Sequence, residues 1–185
     1  AHLAEGDPGE ALARTIEETS RIVWDEAQTV YGAPGPATTL VAAVVKADQA
    51  WWANVGDSRI YLLPHNASQS GEVRQLSDDH SWVADQVRAG LLTADEAESH
   101  PRRNIITRTV GFELEVRADS GAPIALAAND CPLLGSDGLH GHASAPTMAE
   151  IATDPEPDPA AAPTPQPHHT PRPPATPPPG HARPR

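Results

Sequence analysis

Asn54-Val55-Gly56-Asp57-Ser58-Arg59 is the stretch from which the rest of the chain can be read. Before it lie Thr38-Thr39-Leu40-Val41-Ala42-Ala43-Val44-Val45 and Trp51-Trp52-Ala53, with Asp48-Gln49 able to turn between them. After it the chain resumes as Ile60-Tyr61-Leu62-Leu63. Three apolar runs of strand length, parted by turn residues, predict an antiparallel meander. Gly56-Asp57-Ser58 is then a tight turn that presents a carboxylate.

Upstream, Asp7-Pro8-Gly9-Glu10 is a helix start, with Asp7 as cap and Pro8 at the first helical position. Leu12, Ile16, Val23, Ala27 and Val30 recur at helical spacing, opposite Glu17, Glu18, Arg21 and Asp25. The pattern predicts a long amphipathic helix laid on a sheet and ended by Gly32. Downstream, Glu72 to Leu76 reads as a short strand that ends in Ser77-Asp78-Asp79-His80. Ser81 to Ala89 reads as a helix, and Thr93-Ala94-Asp95-Glu96 is a capping box that opens a second. Strands are expected at 113–118 and 123–127. A buried strand, Cys131-Pro132-Leu133-Leu134, then runs into Gly135-Ser136-Asp137-Gly138.

From Ala145 the pattern dissolves. Of 21 prolines, 14 lie from Pro146 onward. Met148 to Ala152 reads as no more than a helix turn. Residues 154–185 have almost no apolar bulk to offset their ordering entropy, so a disordered, polyproline-II-like tail is expected over 145–185. The body, 1–144, holds 10 of the 13 Lys and Arg and 21 of the 25 Asp and Glu. Such a surface repels phosphate backbones and argues against nucleic-acid binding. Cys131 is the single cysteine and reads as a buried thiol with no internal disulfide. No apolar run is long enough for a membrane segment and no signal peptide opens the chain, so the expected location is cytoplasmic. Helix, strands, helical insertion and strands in that order predict an α+β fold with an antiparallel sheet.

Three carboxylates stand at strand ends beside turn residues: Asp57, Asp79 and Asp137. Each alone reads as well as a turn cap. Brought together, they need a cation, and oxygen-only ligation without cysteine suits Mg²⁺ or Mn²⁺. Trp51-Trp52 reads as one core and one surface side chain of a strand. Arg102-Arg103 reads as a solvated helix end rather than a phosphate contact, and His168-His169 as a solvated pair rather than a metal site.

Six blocks carry a resemblance. They are Gly35-Pro36-Ala37-Thr38-Thr39-Leu40, Ala53 to Leu62, Gln75 to Ser81, Gly90 to Asn104, Thr107 to Gly111, and Leu133 to Leu139. In this order, over about residues 10 to 144, they resemble the PPM-type metal-dependent protein phosphatases (protein phosphatase type 2C), best in the bacterial form. The resemblance implies an α-β-β-α sandwich: two stacked antiparallel sheets flanked by helices, here partial. It implies hydrolysis of phosphoserine and phosphothreonine on proteins that are substrates of a serine/threonine kinase. The cofactor it implies is a binuclear Mn²⁺ or Mg²⁺ centre. By the same resemblance Asp137 is a ligand of that centre and Asp79 a ligand of a third, looser metal. Asp57 and Arg59 belong to a mainly structural block, and 82–104 is the flap that governs substrate access.

The family also has a phosphate-binding arginine and an Asp-Gly-Met-Gly-Gly block before the first helix, and an Asp-Asn pair near its end. None of the three is in this sequence, and Ala37 stands where the family usually has glycine. The sequence therefore leads to the expectation of a domain truncated at both ends and impaired in turnover. The alternatives are a pseudophosphatase that binds phosphoproteins without turnover, and a frameshifted gene product whose reading departs after Ser144.

Overall fold

The computed structural model describes residues 6–31, 35–65 and 72–153. The expected helix end at Gly32 and the tail from 154 onward lie outside the described residues, as do residues 66–71.

Asp7 caps the first helix, α1 (Pro8–Tyr31), by accepting from the backbone N–H of Gly9 at 2.8 Å and of Glu10 at 3.1 Å. Its buried face is Ala11, Ile16, Ser20 and Ala27. Val30, read above as part of that face, is exposed, as is Ile22. The buried stripe of α1 thus ends at Ala27.

Strands β1 (Leu40–Lys46) and β2 (Gln49–Val55) form an antiparallel hairpin, with Val44 opposite Trp51 and Leu40 opposite Val55. Ala47 makes the turn with a positive φ of 55°. Two short strands, β5 (Asp119–Ser120) and β6 (Ile124–Ala125), pair with the other edge of β2. Every β2 residue from Ala50 to Val55 is buried, so both faces of the strand are covered. Ile16 of α1 packs with Ala53, Val55, Val110 and Ala118 on one face. Trp51 and Trp52 are therefore both core side chains, not one core and one surface.

The meander expected over 38–63 stops at β2. Strand β3 (Arg59–Leu63) leaves the first sheet and pairs antiparallel with β4 (Arg74–Gln75) on one side and β7 (Cys131–Gly135) on the other. Gly56-Asp57-Ser58 is thus a crossing between two sheets rather than a hairpin turn. Between them the chain forms α2 (Trp82–Arg88) and α3 (Ala94–Ser99), the latter closed by the reciprocal Thr93–Glu96 capping box. The strand expected at 113–118 does not form, and pairing with this edge of β2 begins only at 119–120.

After β7 come a single helical turn, α4 (Asp137–His140), and α5 (Ala145–Thr153). Met148 and Ala149 of α5 are buried with Tyr61, Leu63 and Ala143 against the second sheet. The segment just past 144, read above as the start of the tail, packs on the body as a nine-residue helix. Helix α1 lies on the first sheet and α5 on the second, the α-β-β-α order. Among the described residues, no helix is long and apolar enough to cross a membrane.

Candidate functional site

The crossing from β2 to β3 sets the site. Gly56 has a φ of 106°, a region L residues avoid, and a Cβ there would collide with the Thr39 side chain. Glycine lets the chain turn tightly against β1 and deliver Asp57 at the ends of both sheets. Asp137 arrives there from β7, the neighbour of β3 in the second sheet. Asp57 and Asp137 line one cavity of about 290 Å³, with Thr39, Ser58, Thr109 and Ser136. The Thr39 and Ser58 hydroxyls are hydrogen-bonded at 2.7 Å. Ile106 also lines this cavity.

The cavity is poor in positive charge. Burial pushes the Asp57 carboxyl up from its ordinary range, and the negative charge of Asp137, then of Asp79, pushes it further. The imidazole Nε2 of His140 donates to the backbone carbonyl of Asp57 at 3.2 Å. Burial, then the nearby Arg59 charge, holds the His140 pKa below its ordinary value, so this ring brings no full charge at neutral pH.

Asp79 sits at the end of the segment after β4, and its carboxylate is held by Arg59. Arg59 Nε donates to one oxygen at 2.7 Å and a terminal nitrogen to the other at 2.6 Å, a bidentate pair. Burial alone would lower the Arg59 pKa, but Asp79 more than offsets it. Asp79 is close enough to act on Asp57 but does not line the Asp57–Asp137 cavity.

Behind these loops lies a buried polar layer. His80 is fully buried. Its Nδ1 accepts from the Gly56 N–H at 3.0 Å, so the ring proton is on Nε2, which donates to Asp119 at 3.0 Å. Burial raises the Asp119 carboxyl, but hydrogen bonds from Arg108 and His80 outweigh it and hold the carboxyl low. Asn54 is also fully buried. Its Nδ2 donates to the Gly56 carbonyl at 3.3 Å and to the Asp78 carbonyl at 3.2 Å.

The segment read as a flap projects from a short neck. Trp82 N–H donates to the Ile105 carbonyl, and Thr107 N–H to that of His80, each at 2.8 Å. The Arg102 guanidinium lies 5.1 Å over the Trp82 ring, which also meets His100 at 4.9 Å.

Of the residues singled out from the sequence, Asp57 and Asp137 come together at one cavity, and Asp79 is held beside them by Arg59. Asn54, Thr39, Ser58, Ser136 and His140 received no role there. An asparagine inside an apolar strand was the available signal for the first.

Among the described residues, no group of three or more His, Cys, Asp or Glu is arranged to hold a metal ion. Two carboxylates, one of them desolvated and repelled by its neighbours, do fit a single hydrated Mg²⁺ or Mn²⁺. Mg²⁺ in particular keeps several waters and binds through one or two carboxylates. They do not by themselves make a two-ion centre.

Comparison with known proteins gives one consistent picture. No protein-family model matches the chain. The chain is 39% identical over 140 residues to the serine/threonine phosphatase stp of Listeria innocua, covering 76% of this chain and 53% of that protein. Its structure superposes on the serine/threonine phosphatase Stp1 of Staphylococcus aureus with a TM-score of 0.70 at 32% identity, covering 83% of this chain and 56% of that one. The catalytic domain of the serine/threonine protein phosphatase PstP in complex with two manganese ions matches with a TM-score of 0.63 at 28% identity, covering 84% and 64%. The chain spans about half the length of the curated relatives it matches.

Proposed function

The chain belongs to the PPM-type protein serine/threonine phosphatases, and we propose that the intact protein hydrolyses phosphoserine and phosphothreonine on other proteins. The observation that carries this is the meeting of Asp57 and Asp137, from the ends of two sheets, at one cavity poor in positive charge. We assign the holding of Mn²⁺ or Mg²⁺ to Asp137, with Asp79 as a further ligand once Arg59 releases it, and with Asp57 as the carboxylate whose charge the cation offsets. A bound divalent ion supplies charge neutralisation at the phosphoryl oxygens and a water acidic enough to be the nucleophile.

The chain's own groups do the rest. Thr39 and Ser58 fix part of the cavity wall through their mutual hydrogen bond. Ile106, on the neck of the 82–104 flap, forms part of the cavity, so a phosphoprotein that engages the flap bears directly on the site. Substrates of a serine/threonine kinase, met in the cytoplasm, are the partners this reading names.

A second reading, a phosphoprotein-binding module without turnover, is favoured by the absence of a three-ligand group among the described residues. Phosphate release from a phosphothreonine peptide by the intact protein decides between them. The phosphatase reading expects release with Mn²⁺ that stops on chelation. Peptide binding with no release in either condition favours the second.

A further inference from the structure

The fully buried Asn54 ties together the two backbones that carry Asp57 and Asp79. Its Nδ2 donates to the carbonyls of Gly56 and Asp78, the residues immediately before those two carboxylates. The Asp57 turn leaves the first sheet, and the Asp79 loop follows β4 of the second. One carboxamide therefore joins the sheets at the end where the cavity opens. The Gly56 carbonyl is shared, since the His80 N–H also donates to it at 3.1 Å.

The arrangement is costly for stability alone. Among the described residues, the Asn54 Oδ1 is buried with no hydrogen-bond partner. A buried polar atom left unpaired costs roughly 1–3 kcal/mol, which offsets much of what the two donated bonds contribute to stability. The amide's two donated bonds, by contrast, bridge two loops that each carry a negative charge.

We propose that Asn54 is a positioning residue that fixes the Asp57 turn against the loop before Asp79, and so presents the Asp57 carboxylate to the cation cavity it shares with Asp137. It touches neither cation nor substrate and acts through the carbonyls of Gly56 and Asp78. This rests on the reading of Asp137 and its neighbours as the cation site.

Mn²⁺ titration of the intact protein, followed by electron paramagnetic resonance, tests it. Residues that orient metal ligands typically change affinity by 10–100-fold, so Asn54→Ala is expected to weaken Mn²⁺ binding by about 10-fold. Asn54→Ser, which keeps one donor, is expected to lie between it and the wild type, and it serves if the alanine variant does not fold. Met148→Ala, in the core of the second sheet, is expected to lower thermal stability and leave Mn²⁺ affinity unchanged. Asp137→Asn reports on the underlying site. If it leaves Mn²⁺ binding intact, the cation reading fails and this inference falls with it. If Asp137→Asn weakens binding but the folded Asn54 variants match wild type, or Met148→Ala weakens it equally, the positioning role alone is overturned.

Discussion

His80 holds Gly56 at both of its polar backbone atoms, one through its ring and the other through its own backbone N–H. Nδ1 accepts from the Gly56 N–H at 3.0 Å, and the His80 N–H donates to the Gly56 carbonyl at 3.1 Å. The residue that follows Gly56 is Asp57, and the residue that precedes His80 is Asp79. Two loops from different sheets are thereby locked in register through one backbone–histidine clasp.

Gly56→Ala removes the freedom this clasp depends on. At φ 106° a Cβ collides with Thr39, which also carries the hydroxyl bonded to Ser58. The left-handed backbone and the overlap together are expected to cost about 2 kcal/mol or more. Urea denaturation checks this, and a midpoint equal to wild type would show that the turn relaxes freely.

The clasp requires neutral His80. Burial pushes its pKa below the ordinary 6.5 and outweighs the pull of Asp119. Below pH 6.5 the unfolded chain takes up a proton that the folded chain refuses, so stability falls as pH drops through 6.5. The loss ends once pH passes below the depressed folded value. Urea midpoints at pH 7.5 and 5.5 are expected to differ in wild type and to differ less in His80→Gln. His140, also depressed, leaves a residual slope. An unchanged pH dependence in the variant contradicts the assignment.

Arg59 neutralises Asp79 in the absence of a cation. Its side chain is 26% exposed and that of Asp79 12%, so the pair is partly shielded from water. Arg59→Ala leaves three carboxylates near one another without that guanidinium and is expected to cost about 1–3 kcal/mol without metal. Mn²⁺ then has no competitor for Asp79. The rise in Tm on adding Mn²⁺ is expected to be larger in Arg59→Ala than in wild type, and an equal or smaller rise would exclude Asp79 as a ligand that Arg59 blocks.

Glu96 shows local linkage on the surface. Its hydrogen bonds to the backbone N–H and then to the side chain of Thr93 hold its pKa below the ordinary 4.5. Its contribution is present above 4.5 and lost as pH falls through the lower folded value. The protection of amides in 94–99 against hydrogen exchange, relative to their intrinsic rates, is expected to fall over that interval in wild type, and to be already low and flat in Glu96→Gln if the charged form is what caps the helix.

Much of this is legible in the sequence alone. The Asp7 start, the β1–β2 hairpin and the Thr93–Glu96 box are local, and local patterns determine them. The sheet to which β3 belongs was not legible, because an apolar run after Gly-Asp-Ser reads alike whether it returns to its neighbour or crosses to another sheet. Trp51 and Trp52 seemed to alternate between core and solvent, yet β2 lies with both faces covered. Helix α5 was hidden by the proline-rich composition around it, although Met148 and Ala149 anchor it to Tyr61 and Leu63. The role of Asn54 depends on Asp78, 24 residues away, and no periodicity reports such a contact.

The central claim is that a divalent cation held at Asp137 drives phosphate release. The most direct test is the Mn²⁺-dependent rate at which the intact protein releases phosphate from a phosphothreonine peptide, compared with Asp137→Asn. The account predicts a metal-dependent rate in wild type and a loss of about 100-fold or more in the variant, the scale at which removing one electrostatic stabiliser acts. A rate indifferent to Mn²⁺, or an Asp137→Asn variant as fast as wild type, would contradict it.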